Sequence, residues 1–293
     1  MTGRRVAITG ASGQLGRQLV AAFRSAGWEA IGLSRADLDI TEPRATAVIQ
    51  AGRHDVVVNA AAWTDVDGCA REPERAMAVN GSGAGLVARA AAQVGGLLVQ
   101  VSTNEVFDGS RKDRYSEGDE PEPINAYGSS KLAGEREVAG ANPRHLIVRT
   151  AWIFGPGGRN FPSKIMKIAR SQAAAGQALR VVSDELGNPT WAPDLAEGIR
   201  MATEAVIAER IAPGIIHIAG EPPTSRYYWA EAILDGIPGV ELVPIPAADY
   251  PRTSRVPPHA VLATERASAA GIRASDWRMA TARYASELFA LSV

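Results

Sequence analysis

The segment Thr9-Gly10-Ala11-Ser12-Gly13-Gln14-Leu15-Gly16 follows directly on the apolar run Arg5-Val6-Ala7-Ile8 and opens a helical pattern from about Gln14 to Ala26. Glycines spaced G-x-x-G-x-x-G between a strand and a helix leave few folds open. They permit a tight turn, and their missing side chains let backbone N–H groups, at the positive end of a helix, approach a pyrophosphate. Three glycines alone carry little weight. In a strand–turn–helix setting they point to a dinucleotide-binding βαβ unit. Gly10, Ser12, Gly13, Gln14, Leu15 and Gly16 are the expected cofactor cradle.

The rest of the first half repeats this grammar. Ala30–Leu33, Asp55–Asn59, Leu97–Val101 and Leu146–Val148 are short apolar runs without alternation. Between them lie helical patterns beginning near Glu42, at Pro73, over Gly85–Val94 and over Lys131–Val138. Strands buried on both faces and alternating with helices predict an α/β fold with a doubly wound parallel sheet of Rossmann type. After Arg149 the pattern loosens into a Gly155–Gly158 loop, a helix from Asn160, a short strand over Leu179–Val182, a helix within Pro189–Val206 and a strand over Gly214–Ile218. Residues 1–150 are therefore expected to form the cofactor domain, with later returns near 185–220. Residues 151–293 are expected to supply mainly a smaller, discontinuous α/β substrate domain.

Composition removes several function classes. The 293 residues are 46% hydrophobic and 22% charged with a formal net charge of -1, so no basic field points to nucleic acid or an anionic membrane. The single Cys69 suits a reducing cytoplasm, and it reads as a packed thiol. The N-terminus does not read as a signal peptide and no run approaches a membrane span. His54, His145, His217 and His259 have no metal-ligand spacing, so no metal is expected. The expected setting is cytoplasmic, as a monomer or homodimer, with a small-molecule substrate.

Other residues refine the chemistry. The second strand ends Leu33-Ser34-Arg35. An acidic residue there would hydrogen-bond a ribose 2′-OH, whereas Arg accommodates a 2′-phosphate, so Ser34 and Arg35 favour NADPH over NADH. Asp39 and Ile40 are placed for an adenine edge, and Ala60, Ala61 and Ala62 leave room for a ribose close to the backbone. Tyr127 and Lys131 stand four residues apart, on one face of a helix. A free tyrosine, with a pKa near ~10, exchanges protons poorly at neutral pH. A neighbouring Lys131 ammonium would lower that pKa and hold ribose hydroxyls, and Tyr127 would then protonate a carbonyl oxygen as hydride reaches its carbon. Thr103, where the Leu97–Val101 run turns polar, is placed to hydrogen-bond the same oxygen.

This combination resembles the extended short-chain dehydrogenases/reductases, and within them the dTDP-4-dehydrorhamnose reductase family. The resemblance rests on TGASGQLG (9–16), DLDIT (37–41), VVVNAAAWTDVDGCA (56–70), VSTNEVFDG (101–109), YGSSKLAGE (127–135), RTAWIFG (149–155), NF (160–161) and DELGNPT (184–190). It implies NADPH-dependent reduction of the C4 ketone of a dTDP-4-dehydro-6-deoxysugar, with Thr103, Tyr127 and Lys131 as the catalytic set. It further implies Thr64, Val66, Asn104, Glu105, Trp152, Asn160 and Thr190 as substrate neighbours. An aromatic such as Trp152 packs well on the C–H face of a deoxysugar.

Departures from the family pattern fall on the sugar side. Asn104-Glu105 stands where Asp-Tyr is usual, Glu185 where Gln is usual, and Arg255-Val256-Pro257 where Arg-Pro is usual. Two alternative readings stay open on sequence: an epimerase or dehydratase holding NAD tightly, and a non-catalytic NADP-binding regulatory subunit.

Overall fold

The computed structural model describes residues 3–274 and 276–290. Six strands form the central sheet: β1 (Arg5–Thr9), β2 (Glu29–Leu33), β3 (Val56–Asn59), β4 (Leu97–Thr103), β5 (His145–Thr150) and β6 (Gly214–His217). Their order is β6-β5-β4-β3-β1-β2, parallel at every pairing. Period-two alternation explains why the runs are apolar throughout. Val6, Ile8, Val58, Val99 and Val148 face one core, and Val57, Leu98 and Ile147 face the other.

Helices cover both faces. On the first lie α1 (Gln14–Ser25) and, from later in the chain, a helix over Ala192–Ile207, whose Leu195, Ala196, Ile199 and Ala202 join that core. On the second lie α2 (Arg44–Gly52) and α3 (Gly83–Gln93). Residues 73–93 form one helical stretch whose middle, Met77–Ser82, widens to a π-helix. The helix expected over Lys131–Val138 is longer. As α4 it spans Ala126–Ala141, because Asn125 caps it by accepting the Gly128 N–H at 2.7 Å.

A third core gathers most of the later aromatics. Phe154, Trp229, Trp277 and Tyr284 are buried together with Ile165, Met166 and Ile233. Phe154 follows β5, and the others come from α5 (Phe161–Ala174), α7 (Arg226–Leu234) and α8 (Trp277–Ala290); the intervening Ala192–Ile207 helix, α6, packs on the first core. Leu179–Val182 and Leu242–Ile245 pair in parallel beside them. The chain also returns to the first core near its end, through Ala267 and Ile272. Among the described residues no helix is long and apolar enough to cross a membrane.

Candidate active site

In an open parallel sheet, ligands bind beyond the carboxyl ends of the strands, where the winding direction reverses. Here that reversal lies between β1 and β3. Gly10, just past β1, has φ +66°, and a Cβ there would lie 2.7 Å from the Ala61 nitrogen past β3. The Gly13 N–H donates to the Gly10 carbonyl at 2.9 Å, closing the turn. Gly13 also begins α1 without a side-chain cap, so the helix offers its first N–H groups to the turn. A backbone cradle that any Cβ would fill, at an uncapped helix N-terminus, fits a dinucleotide pyrophosphate.

Along the flank of the cradle, Arg35 is paired to Asp39 at 3.0 Å and its side chain is 77% exposed. Asp39 also accepts the Thr41 N–H and hydroxyl, and Asp37 accepts the Ser34 N–H and hydroxyl. These bonds hold both carboxyls below the usual carboxylate range. Ile40 is buried in the second core, where it meets Gly83. Ala60, Ala61 and Ala62 are half-buried on the loop after β3.

At the end of β4 the structure brings Thr103, Tyr127 and Lys131 together. Thr103 caps the single turn Asn104–Val106, its Oγ1 accepting the Glu105 N–H at 3.2 Å. The start of α4 packs directly on this turn, and a Cβ on Gly128 would lie 2.0 Å from the Glu105 carbonyl oxygen. Glycine after Tyr127 is what lets the phenol come within reach of the Thr103 hydroxyl. One turn later, the buried Lys131 Nζ donates to the Val101 carbonyl at 2.6 Å. A second donor reaches the same oxygen. The Thr9 hydroxyl bonds Asn59 at 2.5 Å, Asn59 donates to Gln100 at 2.8 Å, and Gln100 donates to the Val101 oxygen at 3.0 Å.

The electrostatics correct one expectation. Tyr127 is not acidified by Lys131; burial, and next the Glu105 carboxyl, raise its pKa above the ordinary tyrosine value. Burial lowers Lys131 to about 8, against a partial restoring pull from Glu135. The physical reason is desolvation. Both groups lose more hydration than their neighbours return. Cys69, whose thiol donates to the Trp63 carbonyl, is likewise pushed up to about 11, chiefly by burial.

Beyond the β4 turn opens a cavity of about 730 Å³ lined by Asn104, Glu105, Trp152, Asn160, Arg226 and Arg252 among others. Trp152 has φ +43°, uncommon for a bulky residue. Its ring stacks with Trp229 at 5.9 Å, and the Arg226 guanidinium lies 3.6 Å from its centroid and 5.8 Å from that of Trp229. Only glycine fits opposite, since a Cβ on Gly187 would lie 2.5 Å from the indole. Asn160 caps α5 and spends its amide on Gly155, Gln14 and Tyr284, tying the glycine-turn helix to the third core. Thr64 and Val66 lie on the loop and helix start after β3, apart from this lining. Thr190 lies outside this lining; it is fully buried, donating to the Asn188 carbonyl and accepting the Gly220 N–H.

Several side chains of this region were not singled out from sequence. Asn125 had a local signal, an N-cap residue ahead of a helix. Asn80, on the π-helix, accepts the Trp63 N–H and donates to the Trp63 carbonyl and the Ser130 hydroxyl. Gln100, Arg226 and Arg252 had no local signal.

A Rossmann sheet with a glycine turn at its switch point and a Thr/Tyr/Lys group at the end of β4 defines an extended short-chain dehydrogenase/reductase. More narrowly, the chain belongs to the dTDP-4-dehydrorhamnose reductase family, and the family model described as RmlD substrate binding domain matches residues 4–289. It is 36% identical to a dTDP-4-dehydrorhamnose reductase of Burkholderia thailandensis, over 94% of this chain and 96% of that one. A crystal structure of the dTDP-4-dehydrorhamnose reductase of Bacillus anthracis in complex with NADP superposes with a TM-score of 0.89 at 30% identity, covering 97% and 99% of the two chains. The Clostridium acetobutylicum counterpart gives 0.88 at 34%, with the same coverage.

Proposed function

We propose that this protein reduces the C4 ketone of dTDP-4-dehydro-6-deoxy-L-mannose to dTDP-L-rhamnose with NADPH. The observation that supports this reading is that Tyr127 lies within hydrogen-bond reach of Thr103 at the carboxyl end of β4 while Lys131, one turn along the same helix, bonds the Val101 carbonyl of that strand. The names of the relatives, and the NADP held by one of them, support it. The reading assigns the cofactor lobe to residues 1–150 with returns near 185–220, and the substrate lobe mainly to the remainder.

Bound NADPH supplies hydride to C4. Tyr127 provides the proton for the ketone oxygen. Its raised pKa keeps it a neutral phenol, the donor form, and the alkoxide that forms is far more basic still. Thr103 supports the same oxygen with its hydroxyl. Lys131 is fixed by the Val101 carbonyl, which leaves N–H donors of its ammonium for ribose hydroxyls. Gly10, Ser12, Gly13, Gln14, Leu15 and Gly16 would hold the pyrophosphate, and Arg35, now paired to Asp39, would turn to the 2′-phosphate. Trp152 offers its face to the sugar. Arg159, Lys164 and Arg180 give the cavity lining positive charge for the nucleotide diphosphate. The implied location is the cytoplasm.

Following NADPH absorbance with the ketosugar generated in situ tests this reading. Turnover dependent on both is expected, and none with authentic ketosugar would overturn it. Two further outcomes follow. Gly10→Val places a side chain against Ala61 at positive φ, so NADPH affinity measured by calorimetry should fall at least about tenfold. Lys131 acts as the ammonium, and its depressed pKa means the proton leaves as pH rises through about 8. The kcat profile should therefore decline above about pH 8, and a rate still level at pH ~10, near an unperturbed lysine, would contradict the assignment.

A further inference from the structure

Glu105 and Glu185 line the same cavity, one from the end of β4 and the other from the loop after Val182. Two arginines lie between them. Arg252 binds Glu185 at 2.9 Å, and Arg226, flat on Trp152, lies 4.0 Å from it. Glu185 is therefore ion-paired with Arg252, although its Oε1 makes no aligned hydrogen bond.

Glu105 is held differently. Its Oε2 accepts an Asn125 N–H at 2.7 Å. The second N–H of that amide goes to the Arg255 carbonyl at 2.9 Å, and its oxygen caps α4. Every hydrogen-bonding group of the Asn125 side chain is committed, so the carboxyl it holds is fixed in direction. The Glu105 Oε1 has no hydrogen-bond partner among the described residues, and the side chain lines the cavity. An acceptor oriented in advance and partly desolvated gains from a matching donor and penalises its absence.

We propose that Glu105 is a specificity-determining residue: its free carboxyl oxygen accepts a hydrogen bond from a ring hydroxyl of the sugar, and the site thereby prefers a ketosugar carrying that hydroxyl to its deoxy counterpart. Glu185, by engaging Arg226 and Arg252, keeps both cations from closing onto Glu105 in place of the substrate. This inference rests on the ketosugar reading given above and deepens it.

The test compares kcat/KM for dTDP-4-keto-6-deoxy-L-mannose and for its 2-deoxy and 3-deoxy counterparts, in wild type, Glu105→Leu and Glu105→Gln. Wild type should lose about 10- to 100-fold on one of the two deoxy sugars, the range for a hydrogen bond to a charged group. Glu105→Leu should bring that ratio down to about the value of an ordinary contact, a few-fold. Glu105→Gln keeps the volume and the bond to Asn125 while altering the free atom, and it should reduce the ratio several-fold; it decides alone if the leucine variant fails to fold. Equal efficiency on all three sugars in wild type, or undiminished discrimination in the folded variants, would overturn the proposal and leave the ketoreductase reading standing. Failure of wild type on the parent sugar would overturn both.

Discussion

Replacing Tyr127 by phenylalanine should cut kcat by about 10²- to 10⁴-fold, the range for losing a positioned general acid. The substitution removes only the phenolic O–H. The ring still fills the space above Thr103, and Gly128 still lets α4 pack on the Asn104–Val106 turn. Thermal stability should change little, since the lost contact is a single hydrogen bond worth about 1 kcal/mol. Steady-state rates beside thermal midpoints check this. A folded Tyr127→Phe protein with wild-type turnover would remove Tyr127 from the chemistry.

The second large effect is structural. Glu135, one turn after Lys131 on α4, is 4% exposed and Arg149 on β5 is 1% exposed. The Arg149 Nε and Nη2 donate to Glu135 at 3.0 and 2.7 Å, and the Ser102 hydroxyl donates to the same carboxylate at 2.5 Å. The pair thus pins α4 to β4 and β5 beside the site. Glu135→Ala would leave a buried guanidinium without its counter-charge, at a cost of about 3–5 kcal/mol. That is a large part of the ~5–15 kcal/mol by which a domain is stable. The urea midpoint should drop accordingly. Replacing both partners with Glu135→Leu and Arg149→Met should recover most of the loss, because no charge then stays buried alone. Where Glu135→Ala folds, the alkaline decline in rate should move to lower pH, since Glu135 supports the Lys131 ammonium.

The sheet was legible because strands covered on both faces must be apolar at consecutive positions, and Arg5–Ile8, Asp55–Asn59 and Leu97–Val101 have that form. The glycine turn was legible because no other residue reaches the φ and the close approach found at Gly10. Tyr127, Lys131 and Thr103 could be nominated because helix spacing joins the first two and the end of a buried strand exposes the third. Their electrostatics could not be read in the same way. Spacing suggests that a lysine acidifies a tyrosine, whereas the packing desolvates both and aims Lys131 at a backbone carbonyl. Thr190 was named through its motif, and only its two bonds to Asn188 and Gly220 show where the hydroxyl points. Arg226 and Arg252 reach the cavity from segments more than a hundred residues beyond Glu105, a distance no local pattern spans. The two unusual acidic residues, Glu105 and Glu185, were visible as isolated departures. Their convergence on one cavity was not.

The central claim is that hydride passes to C4 of a nucleotide-linked ketosugar while Tyr127 supplies the proton. NADPH deuterated at the transferable nicotinamide position, incubated with the enzyme and dTDP-4-keto-6-deoxy-L-mannose, tests it most directly. Proton NMR and mass spectrometry of the product should show a single deuterium at C4 and none elsewhere. Product formed without the label, or turnover that proceeds with no added NADPH, would contradict the account.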